Sequence, residues 1–239
     1  EREAAKVDRQ AELHPCHTCP DRPEHERLAR RASELEHQVR GAERRIRTRT
    51  ETLARQLDRV LGVLEELGYV RDFSISPKGR VLARIYGEGD VLVAEALAEG
   101  VFDGVTPAEA AALVSTIVYE SRERIPREGE MPTAPTADRY GRLHGIYARI
   151  RRAEDAHHVE LCRELEGGFA SPVHRWADGE PLEDVLRETG MAPGDFVRNC
   201  KQLLDLLRQI EEVADGNQAE VLRLAREGVN RGVVAYTGV

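Results

Sequence analysis

The chain has 239 residues, 41% of them hydrophobic, 33% charged and 5% aromatic, with a formal net charge of -8. That length allows one large or two small domains, and a charge-rich, aromatic-poor profile favours helices over a β-sandwich. The negative balance excludes a broad basic surface that grips phosphates anywhere, so any nucleic-acid contact must be local. No run approaches the roughly 18 to 20 apolar residues that span a bilayer, and no secretory leader pattern is present, so a cytoplasmic protein without a membrane partner is expected.

The chain opens on a charged helical fragment, EREAAKVDRQAEL, with neither a start methionine nor a helix start signal, as if it continued from a longer polypeptide. Pro15, Pro20 and Pro23 then break the pattern, each removing a backbone donor. From Glu24 to about Arg49 the sequence predicts a long Arg-rich helix. Leu28, Ala32, Leu35, Val39, Ala42 and Ile46 give it a thin apolar seam, wide enough for one partner helix, as in a stalk. A compact helix, LARQLDRVLGVLEELGYV, follows and ends at Gly68, and a turn is expected at Pro77, Lys78 and Gly79.

After Asp90 the pattern is serial helices. In TPAEAAALVSTIVYESR, Thr106 is the cap, Pro107 sits where its missing donor costs nothing, and Glu109 completes the start signal. A loop with Pro126, Pro132 and Pro135 precedes one long helix read from Ala137 to Glu166, then PLEDVLRETG. The helix from Gly194 to Ile210 is strongly amphipathic. Phe196, Cys200, Leu203, Leu204, Leu207, Ile210 and, beyond it, Ala214 recur at steps of three and four; Arg198, Lys201, Gln202, Asp205, Arg208, Gln209 and Glu212 fall opposite. About six helices, joined mostly by short connections, should form a bundle.

No GxSxG elbow and no GxxxxGK[ST] loop occurs, so neither a serine nucleophile nor a triphosphate cradle is legible. Glu154, His157, His158 and Glu160 place carboxylates and imidazoles one turn apart, but without an HExxH arrangement a hydrogen-bonding helix surface is the simpler reading. Cys16 and Cys19 form a CxxC pair, which His17, His25 or His14 could complete as a zinc site. A second paired motif is missing, and a turn with reduced, packed cysteines is preferred over metal. Cys162 and Cys200 fall in helical patterns, where a thiol packs as a small apolar group.

The words of this sequence also carry a resemblance. HRWADGEPLEDVL, GDFVRNCKQLLDLLRQI and RGVVAY, with LDRVLGVLEELGYV, SPKGRVLARIYGEGDVLVAEAL and GVFDGVTPAEAAALVSTIVYESR upstream, resemble the DSHCT domain. That is the C-terminal helical module of exosome-associated RNA helicases of the Ski/Dob type, here in an actinobacterial-looking version. The resemblance implies a mainly α fold in three parts. Residues 1–49 would be the returning limb of the arch, a stalked insertion; residues 50–90 a winged-helix remnant; residues 91–239 the DSHCT-like bundle. In that family the bundle closes a ring with two ATPase lobes, and one of its helices lines the channel for single-stranded RNA.

Carried onto this chain, the resemblance makes Arg198, Lys201, Gln202 and Asp205 candidates for the RNA channel, whereas the residues alone also allow a solvated face tied by pairs such as Lys201 with Asp205 and Arg208 with Glu212. Arg175 and Trp176 are further candidates. The only tryptophan, in a Gly-bounded turn, either anchors a loop or stacks on an unpaired base. ATP and magnesium would belong to motor lobes upstream, the fragment itself needing no cofactor and being inactive alone. The implied partners are single-stranded RNA or a duplex with an overhang, the ATPase lobes, and an RNA-decay nuclease. A helical adaptor that binds only proteins, through the Leu28 to Ile46 seam, is the alternative.

Overall fold

The computed structural model describes residues 19–50, 53–87, 89–121 and 129–236. The chain divides into two compact units, Glu1–Gln56 and Leu57–Val239. In the first, helix α1 (Arg22–Thr50) runs for 29 residues. Its first turn tolerates Pro23 because that position has no intrahelical acceptor for an amide proton. Leu28, Leu35 and Val39 of the predicted seam are each about half exposed, at 52%, 51% and 53%.

Helix α2 (Leu53–Glu66) stops as the sequence predicts: Gly68 takes φ +78°, and the Tyr69 amide reaches back to the Leu64 carbonyl at 2.7 Å. A hairpin of β1 (Val70–Arg71) and β2 (Ser74–Ile75) follows, pairing Val70 with Ile75 and Arg71 with Ser74. The turn expected at Pro77 to Gly79 is instead the first turn of helix α3 (Pro77–Leu82). Ser76 caps it, its hydroxyl accepting the Gly79 amide at 3.0 Å, and Pro77 supplies a preset φ. Gly79 is obligatory here, since a Cβ would stand 2.3 Å from the Tyr69 carbonyl oxygen.

Helices α4 (Asp90–Ala98) and α5 (Pro107–Val118) form the centre. Thr106 and Glu109 close the predicted capping box, at 3.2 and 2.8 Å. Every residue from Ala108 to Ile117 is buried, so α5 is covered all round. Its alanines let neighbours approach closely: α7 (Ala170–Ala177), α9 (Pro193–Glu211) and α10 (Gly216–Val229) pack on it, as does α6 (Ala134–Ala156). Helices α8 (Leu182–Thr189) and α11 (Gly232–Tyr236) complete the set, with a short 3-10 turn at Gly167–Phe169. The fold is mainly α, with only the two short strands among the described residues. None of the described helices is long and apolar enough to cross a membrane.

Three readings change. The long helix expected to run to Glu166 ends at Ala156, where His158 takes φ +56° and the chain turns into an irregular stretch carrying Cys162. Pro135 belongs to the first turn of α6 rather than to the preceding loop. HRW lies inside α7, not in a turn, so the bundle gains α7 and the terminal α11, two short helices that periodicity over so few residues does not reveal.

One buried charge ties the hairpin region to the bundle. Glu95 of α4 is 5% exposed; it accepts the Tyr69 hydroxyl at 2.6 Å and Arg149 at 3.1 Å, and pairs with Lys78. Burial pushes its carboxyl up, but the bonds from Lys78 and Tyr69 outweigh this and hold it below the usual carboxylate range.

Candidate nucleic-acid interface

Helix α9 begins without a side-chain cap on Ala192, but Pro193 occupies its first position and Asp195 its acidic first turn. Its inner face is closed. Phe196, Cys200, Leu203, Leu207 and Ile210 are fully buried, and Phe196 meets Phe169 and Trp176 edge-on at 5.5 and 5.7 Å between ring centroids. Leu204 and Ala214 pack only partly against this core, whereas Leu206 is buried. Asn199 and Gln209 are buried polar groups, although Gln209 was assigned to the outer stripe. Gln209 accepts the Tyr86 amide at 2.6 Å and donates to Asp205 at 2.9 Å, so it ties α9 to the segment before α4.

The outer face is only partly tied down. Asp205 pairs with Arg208 at 3.2 Å, and Arg208 with Glu212 at 3.4 Å. The expected Lys201 to Asp205 pair does not form; Lys201, half-buried, makes no ion pair among the described residues. Gln202 is exposed, and Arg198 lies 3.5 Å from Asp195. Two open hollows flank the helix. One, of about 380 Å³, is lined by Tyr119, Met191, Asp195, Arg198 and Asn199; the other, of about 470 Å³, by Tyr86, Arg163, Lys201, Gln202, Asp205 and Gln209. The buried Nε–H groups of Arg198 and Arg163 have no acceptor. Arg198 shares the first hollow with Glu120 and Asp195, and Lys201 and Arg163 share the second with Asp90 and Asp205, so each hollow offers mixed charge beside apolar surface.

Arg163 and Tyr86 were not among the sequence candidates. Arg163 reaches the hollow because the chain leaves the helix at His157; its guanidinium donates to the carbonyls of Tyr119 at 2.9 Å and Ile117 at 3.4 Å and pairs with Glu120 at 3.2 Å. A helical reading of LCRELE hides this, because nothing in the sequence just before it breaks a helix.

Arg175 and Trp176 lie on α7 and line neither hollow. Arg175 is engaged by Glu180 and Glu188, whose hydrogen bonds and charge raise its pKa. Trp176 is 3% exposed: its indole donates to the Val229 carbonyl at 2.9 Å, and the Arg231 guanidinium lies 3.6 Å over its ring. Arg231 also donates to the Trp176 carbonyl at 2.9 Å. Of the two roles considered for this ring, the geometry fits the anchor; stacking on a base would need an open ring face, and burial leaves none.

Glu154 is likewise not a reacting group. It is 1% exposed, pairs with Arg151 at 2.6 Å and accepts the Cys162 amide at 2.7 Å; burial pushes its carboxyl up. His157 pairs with Glu66 at 3.0 Å instead. Cys162 and Cys200 are free and buried, with both thiols pushed up to about 12 by burial. Groups of three or more His, Cys, Asp or Glu side chains able to hold a metal are absent among the described residues. Cys16 and His17 lie outside them.

The fold is a helical bundle in which one amphipathic helix turns a mixed-charge face to two open hollows. The family model for the DSHCT (NUC185) domain matches residues 72–237. The chain belongs to that family. It is 34% identical to a protein of Mycobacterium tuberculosis named as probable helicase HelY over 242 residues, 95% of this chain and 27% of that protein. The probable helicase HelY of Mycobacterium leprae is 34% identical over 249 residues, covering 98% and 27%. The exosome RNA helicase MTR4 of Mus musculus is 24% identical over 227 residues, covering 91% and 21%. The chain thus spans about a quarter of the length of these relatives.

Proposed function

We propose that this chain is the C-terminal accessory region of an ATP-dependent RNA helicase of RNA processing or decay, and that α9 lines the passage for a single RNA strand beside two ATPase lobes. In this reading residues 1–49 are the returning limb of an arch, residues 50–90 a winged-helix remnant, and residues 91–239 the channel-closing bundle. Lys201 and Arg198 meet phosphates, Gln202 meets base or sugar edges, and Asp205 keeps the grip weak enough for the strand to slide. ATP and magnesium act in the lobes, which also make the whole protein the enzyme; this region alone hydrolyses nothing. A decay nuclease is the expected protein partner, and the cytoplasm the expected compartment.

The observation that carries the reading is the asymmetry of α9: its inner face is packed, while Lys201, without an ion pair among the described residues, and the exposed Gln202 line an open hollow on its outer side. The relatives' printed names, probable helicase and exosome RNA helicase, support the motor and the RNA. Arg198→Ala with Lys201→Ala in the full-length protein tests it. Unwinding and RNA-stimulated ATP hydrolysis should fall while the melting temperature holds. Duplexes differing only in the 2′-hydroxyl of the tracking strand separate RNA from DNA as the substrate.

One observation favours the adaptor as a second reading: Leu28, Leu35 and Val39 leave an apolar seam about half exposed along α1. Unchanged unwinding in the double variant, with loss of a protein partner on Leu35→Glu, would support it.

A further inference from the structure

Among the described residues, three aromatic side chains stand far out in solvent: Phe73 at 87%, Tyr86 at 74% and Tyr236 at 89% exposed. Tyr86 lines the second hollow beside α9, whereas Phe73 and Tyr236 line neither. Its ring meets no other aromatic ring and no cation among the described residues, so both faces are open. Its backbone, by contrast, is fixed. Ile85 beside it belongs to the core at 3% exposed, and the Tyr86 amide donates to the buried Gln209 of α9 at 2.6 Å. With only two side-chain torsions left, the ring loses little freedom on meeting a flat partner.

The surroundings of the ring select that partner. In the same hollow Lys201 makes no ion pair among the described residues, and the exposed Gln202 carries both donor and acceptor atoms. The acidic members of the hollow are engaged internally: Asp205 accepts from Arg208 at 3.2 Å and Gln209 at 2.9 Å, and Asp90 accepts the Val91 amide at 2.6 Å. An open ring, an ammonium group and an amide match the face, the phosphate and the edge of one nucleotide unit. The centre of a protein interface is instead depleted of charge, and this ring is bordered by Lys201, Asp205 and Arg163.

We propose that the Tyr86 ring stacks on an unpaired base of the strand that passes α9, while Lys201 takes an adjacent phosphate. The assignment rests on α9 being the strand-facing helix and adds to it a residue from outside the helix. Every base has a flat face, so Tyr86 supplies grip without choosing a sequence. Gln209 is the positioning residue, since it ties the backbone that carries the ring to α9.

Binding of the full-length protein to a labelled single-stranded oligoadenylate, and to an abasic strand of the same length, tests it by fluorescence anisotropy. Tyr86→Leu should weaken oligoadenylate binding about 5- to 100-fold at an unchanged melting temperature, and Tyr86→Phe, which keeps the ring, should bind like the wild type. On the abasic strand wild type and Tyr86→Leu should bind alike. Phe73→Leu, which removes an exposed ring elsewhere, should match the wild type on both strands. Wild-type oligoadenylate binding by Tyr86→Leu, beside a loss in Arg198→Ala with Lys201→Ala, overturns the stacking and leaves α9 as the strand-facing helix; wild-type binding by both variants overturns the two together. A loss in Tyr86→Leu that persists on the abasic strand, or an equal loss in Phe73→Leu, also overturns the stacking. Strand binding kept by Tyr86→Leu with loss of a protein partner assigns the ring to a protein instead.

Discussion

The Trp176 corner and the outer face of α9 both offer groups that single strands bind, an aromatic ring beside arginines in one case and a cationic helix face in the other. At the corner every such group is used internally. The indole bonds Val229, Arg231 covers the ring, and Arg175 is held by two glutamates. Along α9 the groups are less tied down: Lys201 makes no ion pair among the described residues, and Arg198 has Asp195 at 3.5 Å. Residue type alone cannot separate the two; the count of satisfied donors does, because a group already bonded in a buried place must break those bonds before it can hold a ligand.

The sharpest way to break this contrast is to empty the corner. Trp176→Ala should destabilise the protein by about 3 to 5 kcal/mol, the range for a buried large aromatic, measured as a lower urea midpoint. A nearly neutral Trp176→Ala that weakened RNA binding would invert the assignment of the two regions. Next in size is the buried charge that joins hairpin and bundle. Glu95→Ala leaves Lys78 and Arg149 without their shared partner and should cost about 3 kcal/mol. Because its folded-state pKa is depressed, its contribution is fully present above the unfolded value near about 4.3 and is lost as pH falls through the lower folded value. The urea midpoints of wild type and Glu95→Gln should therefore converge in acid. A gap that widened as pH fell would contradict this sign.

A smaller effect belongs to the cap of α5: Thr106→Ala should cost about 1 kcal/mol, read from the same denaturation curves. The smallest stability effect belongs to the groove. Arg198→Ala and Lys201→Ala should each shift stability by less than about 0.5 kcal/mol, since Lys201 makes no ion pair among the described residues and Arg198 only a part-exposed one with Asp195.

The sequence made some features of this molecule legible and hid others for physical reasons. The capping box at Thr106, the Gly68 stop and most of the inner face of α9, Phe196, Cys200, Leu203, Leu207 and Ile210, depend on local chemistry or strict periodicity and appear as read. The stop at Ala156 was missed because nothing helix-breaking stands there; His158 in a left-handed conformation is held by its surroundings, not by its residue type. Gln209 was misassigned because a position at the edge of the apolar face can turn inward when a backbone amide, here that of Tyr86, awaits an acceptor. The groove was half legible: Arg198, Lys201, Gln202 and Asp205 stand on one helix, but Arg163 and Tyr86 arrive from distant segments that only the tertiary fold brings alongside.

The most direct test is strand unwinding by the full-length protein carrying Arg198→Ala and Lys201→Ala together, measured beside its thermal melting curve. The account predicts a marked loss of unwinding and of RNA-stimulated ATP hydrolysis at an unchanged melting temperature. Unwinding at the wild-type rate by the same folded variant would contradict it and leave α9 as a bundle helix with a solvated face.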